Sequence, residues 1–316
     1  MKNFLLVFLL ISSFAVISSP AFAISREEAL RKLDACVHSK TGRECEKVKV
    51  AEEALTRLYR QGDKSLLPVL MEATWMGDLY AEAALDDTAA YLSALSSLAR
   101  PRQQAVELNM AGGMMGLPRA RFLALQSALL QIPDNSPDYG PAQDSLRQLD
   151  VANAHFLITY FPPQVFNGRG AEFQTAWYSR ELYALDQAPL WPPAANQHLY
   201  RFTMIPAFGK PLSISLQILP NGMGEIHLRS SNHVRVILDQ TRTLTAEQMY
   251  GLLAMADQVG FWQMPVESDR RGFDGAEWII EGVHDGQYHL VTRWSPEKSA
   301  YHVLGAAFMK LSGYTK

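Results

Sequence analysis

The hydrophobic period of this chain changes once, near residue 198, and that change fixes its fold class. Before it, apolar residues recur every three or four positions in Val48 to Tyr59, Leu66 to Met76, Leu79 to Leu98 and Ala120 to Leu130. This is the spacing of amphipathic helices, and Leu146 to Tyr160 and Ala171 to Leu185 continue it. After the change the period is two: Tyr200, Phe202 and Met204 alternate, followed by Leu212 to Ile218, Ile226 to Leu228 and Val234 to Leu238. Asp285-Gly286 joins two further strands, Ala276 to His284 and Gln287 to Trp294, as a two-residue hairpin. A helix opened by the capping box Thr245 to Gln248 separates the two groups, and a last helix follows Ser295-Pro296 and stops at Gly313. The pattern predicts an α+β chain of two domains. An all-helical domain over 24–187 leads through a proline-rich connection, 188–197, into a mostly antiparallel sheet over 198–316 with two helices on one face.

The first 23 residues carry a different signature. Lys2, the apolar run Phe4 to Ile17 and the small residues of Ala21-Phe22-Ala23 predict a secretory signal peptide cleaved after Ala23, and so a periplasmic or secreted protein. No later apolar run is long enough to cross a bilayer, so no stable membrane span is expected after cleavage. Cys36 and Cys45 are the two cysteines, and in an oxidising compartment so close a pair is expected to bridge. The bridge would add about 2 to 3 kcal/mol by restricting the unfolded chain. With 29 basic against 32 acidic side chains, the chain lacks the basic surface that a nucleic-acid partner demands.

Motifs for chemistry are sparse. There is no His-Glu-x-x-His, no Gly-x-Ser-x-Gly and no phosphate-binding glycine loop, and no cofactor is predicted. Ser295 to Lys298, Ser230 to Asn232 and Lys40 to Gly42 match the short motifs of penicillin-binding proteins and serine β-lactamases. Their chain order is reversed and Lys40-Thr-Gly falls in a helical region, so Ser295 reads instead as a helix N-cap. His284 and His289 lie diagonally on one face of the final hairpin with no third ligand at a fixed spacing, and no metal site is predicted. Among Asp269, Arg270, Arg271, Asp274, Glu277 and Glu281, the two glutamates share a strand face about 14 Å apart, too wide for glycoside chemistry. A loop salt-bridge network is the reading for this cluster.

Two resemblances add to this. Met71, Gly77 and Ala81 recur 39 residues later as Met110, Gly116 and Ala120. The spacing over 64–125 resembles the helical hairpins of Sel1-like and tetratricopeptide repeats, which implies a surface for protein partners. The stretch Asp274 to Gly282, with Asp285 to His289 and Arg293 to Pro296, resembles the C-terminal segment of a set of uncharacterised exported bacterial proteins. That resemblance implies export and carries no chemistry. The function expected is binding of a protein or other component of the cell envelope. Trp278, Arg293 and His289 in a row on the hairpin, with Asp274 beside them, are the candidate recognition residues, unless Trp278 is core and Arg293 passes over it. The alternative is a hydrolase with its site near Asp269 to Arg293.

Overall fold

In the computed structural model the described residues are 24–38, 45, 48–73, 77–113, 115–167, 170–219, 221–268, 272 and 274–314. The signal-peptide segment 1–23, Lys40-Thr41-Gly42, Met76, Asp269, Arg270 and Arg271 lie outside them. The chain divides into two compact units, one up to residue 74 and one from residue 75. No helix among the described residues is long and apolar enough to cross a membrane.

The first unit begins at Ser25, whose Oγ accepts from the Glu28 backbone N–H at 3.2 Å and caps α1 (Arg26–Val37). A disulfide between Cys36 and Cys45 ties the end of α1 to the chain leading into α2 (Val48–Arg60). Arg26 donates through Nε to Asp63 at 2.9 Å, closing the hairpin at its other end, and α3 (Leu67–Ala73) completes the unit.

The second unit opens with the helices α4 (Gly77–Asp86), α5 (Thr88–Ser96), α6 (Arg100–Met110), α7 (Arg119–Leu130), α8 (Tyr139–Ala152), α9 (Ala154–Leu157) and α10 (Ala171–Ala184). The single periodic run 79–98 is two helices because the Asp87 side chain accepts from Ala90 N–H at 3.0 Å and starts a new one. At the start of α4 a Cβ on Gly77 would sit 2.2 Å from the carbonyl oxygen of Asn109, so a glycine there lets α4 and α6 approach closely.

Six strands follow: β1 (Leu199–Pro206), β2 (Leu212–Ile218), β3 (Gly224–Ser231), β4 (Val236–Leu244), β5 (Ala276–His284) and β6 (Gln287–Trp294). They form one sheet in the order β4-β3-β2-β1-β5-β6, every pair antiparallel. Two helices, α11 (Ala246–Gln258) and α12 (Ala300–Ser312), cover one face, burying Phe202, Ile214, Leu228, Ile280 and Val291 against Leu252, Leu304 and Phe308.

The opposite face is covered too, which differs from the one-sided sheet read from the sequence. Tyr160, Phe161, Phe166, Tyr178 and Leu182 pack there on Ile205, Ile279 and Leu290. Polar residues on this face are buried, and two charged ones among them are paired. Arg201, 1% exposed, lies directly across from Glu281, 0% exposed, with Nε to Oε2 at 2.7 Å and Nη2 to Oε1 at 2.9 Å. Tyr288 donates its hydroxyl to the same carboxylate at 2.9 Å. Glu281 therefore belongs to a strand pair inside the protein and not to a loop network.

Segment 188–197 runs within the second unit. The Ala188 carbonyl accepts from Arg201 Nη1 at 2.6 Å, Leu190 is buried, and the Trp191 ring meets Tyr288 at 5.8 Å. Residues 75–187 thus share one compact unit with the sheet.

Candidate functional site

Helix α10 carries Phe173, Trp177, Arg180 and Glu181 at positions i, i+4, i+7 and i+8, one stripe of a helix. Its other stripe, with Tyr178 and Leu182, packs on the sheet, so the first is left facing a cleft of about 820 Å³. Helices α6 and α8 contribute Arg100, Gln104, Asp144 and Gln148 to the wall, and the ends of β1 and of the β3–β4 hairpin close it with Ile205, Pro206 and residues 232–235. Trp294 and Gly272 stand at its margin.

The hairpin tip is shaped by side chains that bond to their own backbone. Ser231 Oγ accepts from His233 N–H at 3.2 Å, and Asn232 Oδ1 accepts from Val234 and Arg235 N–H at 3.2 and 2.9 Å. This turn holds His233 at a φ of 68° and aims its ring at α10. Nδ1 meets Glu181 Oε2 at 3.0 Å and Nε2 meets the Gly209 carbonyl at 2.8 Å. Both partners can accept, so the arrangement favours a ring that carries a proton on each nitrogen. The Glu181 carboxylate accordingly holds the His233 pKa above its ordinary value, against an opposing effect of burial.

Arg180 completes the charge arrangement. Its Nε lies 3.6 Å from Glu181 Oε1, while its Nη1 is buried with no hydrogen-bond partner. A buried guanidinium donor without an acceptor is costly, by about 1 to 3 kcal/mol, and an acceptor in the cleft reaches it only if the guanidinium turns toward the opening. Three arginines line the cleft against two carboxylates, Asp144 and Glu181, and the raised pKa of His233 favours its charged form. Arg235 pairs with Asp144. Phe173 and Trp177, ring centroids 5.7 Å apart, supply an apolar wall. Behind Arg100 and Asp144 a smaller cavity reaches Glu107, whose carboxyl is pushed up to about 7 by burial, with Asp144 adding and Arg100 and Arg235 opposing.

No protein-family model, curated protein or solved structure matches this chain.

The candidate residues read from the hairpin are placed elsewhere. Its register is the expected one, with Trp278 across from Arg293 and Gly282 across from His289. Trp278 is buried, however, edge-on to Phe202 at 5.1 Å and stacked on His302 at 5.1 Å, and Gly305 of α12 leaves room for its indole. Arg293 lies over the ring of Tyr301 at 5.6 Å and donates to the carbonyls of Pro265, Val266 and Thr292. His289 turns inward onto Phe261 at 5.1 Å, and burial lowers its pKa. Asp274 is exposed. None of the four lines the cleft.

The β-lactamase-like motifs are not assembled either. Ser230, Leu212, Met204, Trp278 and Arg293 stand in register across five strands, which puts Ser230 about 19 Å from the end of β6 that carries Ser295. Ser295 is not a helix cap: its Oγ accepts from Ala276 N–H at 3.1 Å, and Ser299 caps α12 by accepting from His302 N–H at 3.1 Å. Sequence reasoning missed the cleft residues Arg180, Glu181 and His233. The signal available was the stripe Phe173, Trp177, Arg180 and Glu181, apolar and charged on one helix face.

Proposed function

We propose that this chain is an exported binding protein whose cleft takes an organic anion with a flat or apolar body. The observation that carries the reading is Arg180, buried beside Trp177 with one guanidinium nitrogen lacking an acceptor. A carboxylate or phosphate placed there gains charge-assisted hydrogen bonds while its apolar part lies on Phe173 and Trp177. The cleft volume of about 820 Å³ suits a ligand of metabolite size.

Binding is favoured over hydrolysis by the chemistry of the wall. Both nitrogens of His233 are engaged within the protein, Nδ1 by Glu181 and Nε2 by the Gly209 carbonyl, so neither is directed at a bound substrate as a base. The described lining residues include no Ser, Thr, Cys, Lys or Tyr as a nucleophile. Export is supported by the signal-peptide pattern of residues 1–23 and by the Cys36–Cys45 bridge.

The test is isothermal titration of the mature protein with a panel of carboxylates and phosphates that carry aromatic or aliphatic bodies. Arg180→Lys keeps the charge and loses the planar fork, and Trp177→Leu removes the stacking wall. Each is expected to weaken the tightest anion at least tenfold while the far-ultraviolet circular dichroism stays that of the wild type. Equal affinity in both variants, or preference for uncharged analogues, would overturn the reading.

A further inference from the structure

We propose that His198, His284 and Asp285 form a binding site for a divalent transition-metal ion at the end of the sheet remote from the cleft. Among the described residues they are the one set of three potential ligands within reach of a single ion. The backbone dictates their meeting. Leu199 pairs with Val283 across the β1–β5 ladder, so the next step outward sets His198 beside His284. Asp285 is the first residue of the β5–β6 turn, held at a φ of 49° by that turn.

The side chains converge as ligands would. The two Nδ1 atoms are 2.6 Å apart, His284 Nε2 is 3.1 Å from Asp285 Oδ2, and His198 Nε2 is 3.4 Å from Asp285 Oδ1. A tetrahedral ion with bonds of about 2.0 to 2.1 Å sets its ligands about 3.3 Å apart, so the nitrogen–oxygen spacings need almost no change. The two rings face each other with nitrogens too close for both to carry a proton. An ion that takes the two Nε2 atoms and an oxygen of Asp285 leaves the Nδ1 pair to share a single proton, which holds the two rings together. Two imidazoles and one carboxylate select zinc, copper or nickel over magnesium or calcium. The site is on the surface, with His284 and Asp285 side chains 55% and 70% exposed, so water fills the remaining positions and an ion enters freely.

The site is independent of the cleft. The length of β1 separates His198 from the Pro206 end that lines the cleft, about 26 Å at 3.3 Å per residue. A built-in reporter lies beside it: the Trp262 indole is 6.4 Å from the His284 ring and is fixed by its bond to the Tyr200 hydroxyl at 3.2 Å.

The experiment uses the untagged mature protein, titrated calorimetrically with zinc, nickel and copper chlorides and, as a contrast, magnesium chloride. One equivalent of each transition metal should bind, with no heat from magnesium. His198→Ala and His284→Ala should each weaken zinc at least tenfold, Asp285→Asn should weaken it less, and His302→Ala should leave it unchanged. Copper should quench tryptophan fluorescence at one equivalent. In Trp262→Phe most of that quenching should vanish while the binding heat persists. The ligand side chains are exposed, so the variants are expected to keep the wild-type circular dichroism, and the Trp262 readout needs no change to the ligands. Absence of zinc binding at 100 micromolar metal, or zinc affinity unchanged in both histidine variants, would overturn the proposal.

Discussion

Replacing Glu107 by glutamine should stabilise the protein, and by an amount that grows with pH. The carboxyl sits on α6 with 1% of its surface exposed, and its Oε2 has no hydrogen-bond partner. Burial raises its pKa from 4.5 to about 7. At about 1.4 kcal/mol for each tenfold change in proton affinity, the folded protein loses on the order of 3 kcal/mol when the group ionises. The sign follows from the folded state holding its proton more tightly than the unfolded chain. The group's stabilising contribution is complete below pH 4.5, falls as pH rises and is gone above about 7. Glutamine keeps the shape and carries no charge at any pH. The gap between variant and wild type should therefore be near its minimum at pH 4.5 and wider by about 3 kcal/mol at pH 8, or about 6 to 12 °C in melting temperature for a unit of this size. Thermal melts by circular dichroism at pH 4.5, 6, 7 and 8 measure it. A gap that is constant with pH, or that widens toward acid, would refute a buried, proton-bearing Glu107.

Three further outcomes follow from the packing. Trp278→Ala should lower stability by about 3 to 5 kcal/mol in urea denaturation, because the indole is buried between Phe202 and α12, whereas an exposed platform would give almost no loss. Arg201→Met should lose about 3 to 5 kcal/mol by leaving the Glu281 carboxylate buried without its guanidinium, while the double change of Arg201→Met with Glu281→Leu should recover much of that loss in the same assay. Anion affinity in the cleft should fall as pH rises above 6.5 and through the raised pKa of His233, since the imidazolium charge is complete at lower pH; affinity that is flat from pH 6 to 9 would count against it.

Periodicity made most of the fold legible. The run of four strands, a helix, two strands and a helix is present as read, and Asp285-Gly286 sets the β5–β6 register because both residues take a positive φ. The Thr245 to Gln248 capping box begins α11 as its spacing dictates. What the sequence hid was the second covered face of the sheet. Arg201, Thr203, Ser213 and Glu281 look like solvent-facing residues, and nothing in a linear pattern says that an arginine on one strand will meet a glutamate 80 residues later. The cleft was hidden for the same reason. Arg180 and Glu181 lie on α10, and His233 comes from a hairpin 52 residues further on. The hairpin row Trp278, Arg293 and His289 was right in register and could not reveal which face α12 would cover. His198 and His284 lie 86 residues apart, and only the β1–β5 ladder brings them together.

The central claim is that an anion completes Arg180. A crystal structure of the mature protein grown with the tightest anion from the titration tests it most directly. The account predicts the acid group within about 2.7 to 3.2 Å of a nitrogen of the Arg180 guanidinium and the apolar body against Trp177. A ligand bound away from this cleft, or an Arg180 Nη1 that finds a protein acceptor while the cleft holds only water, would contradict it.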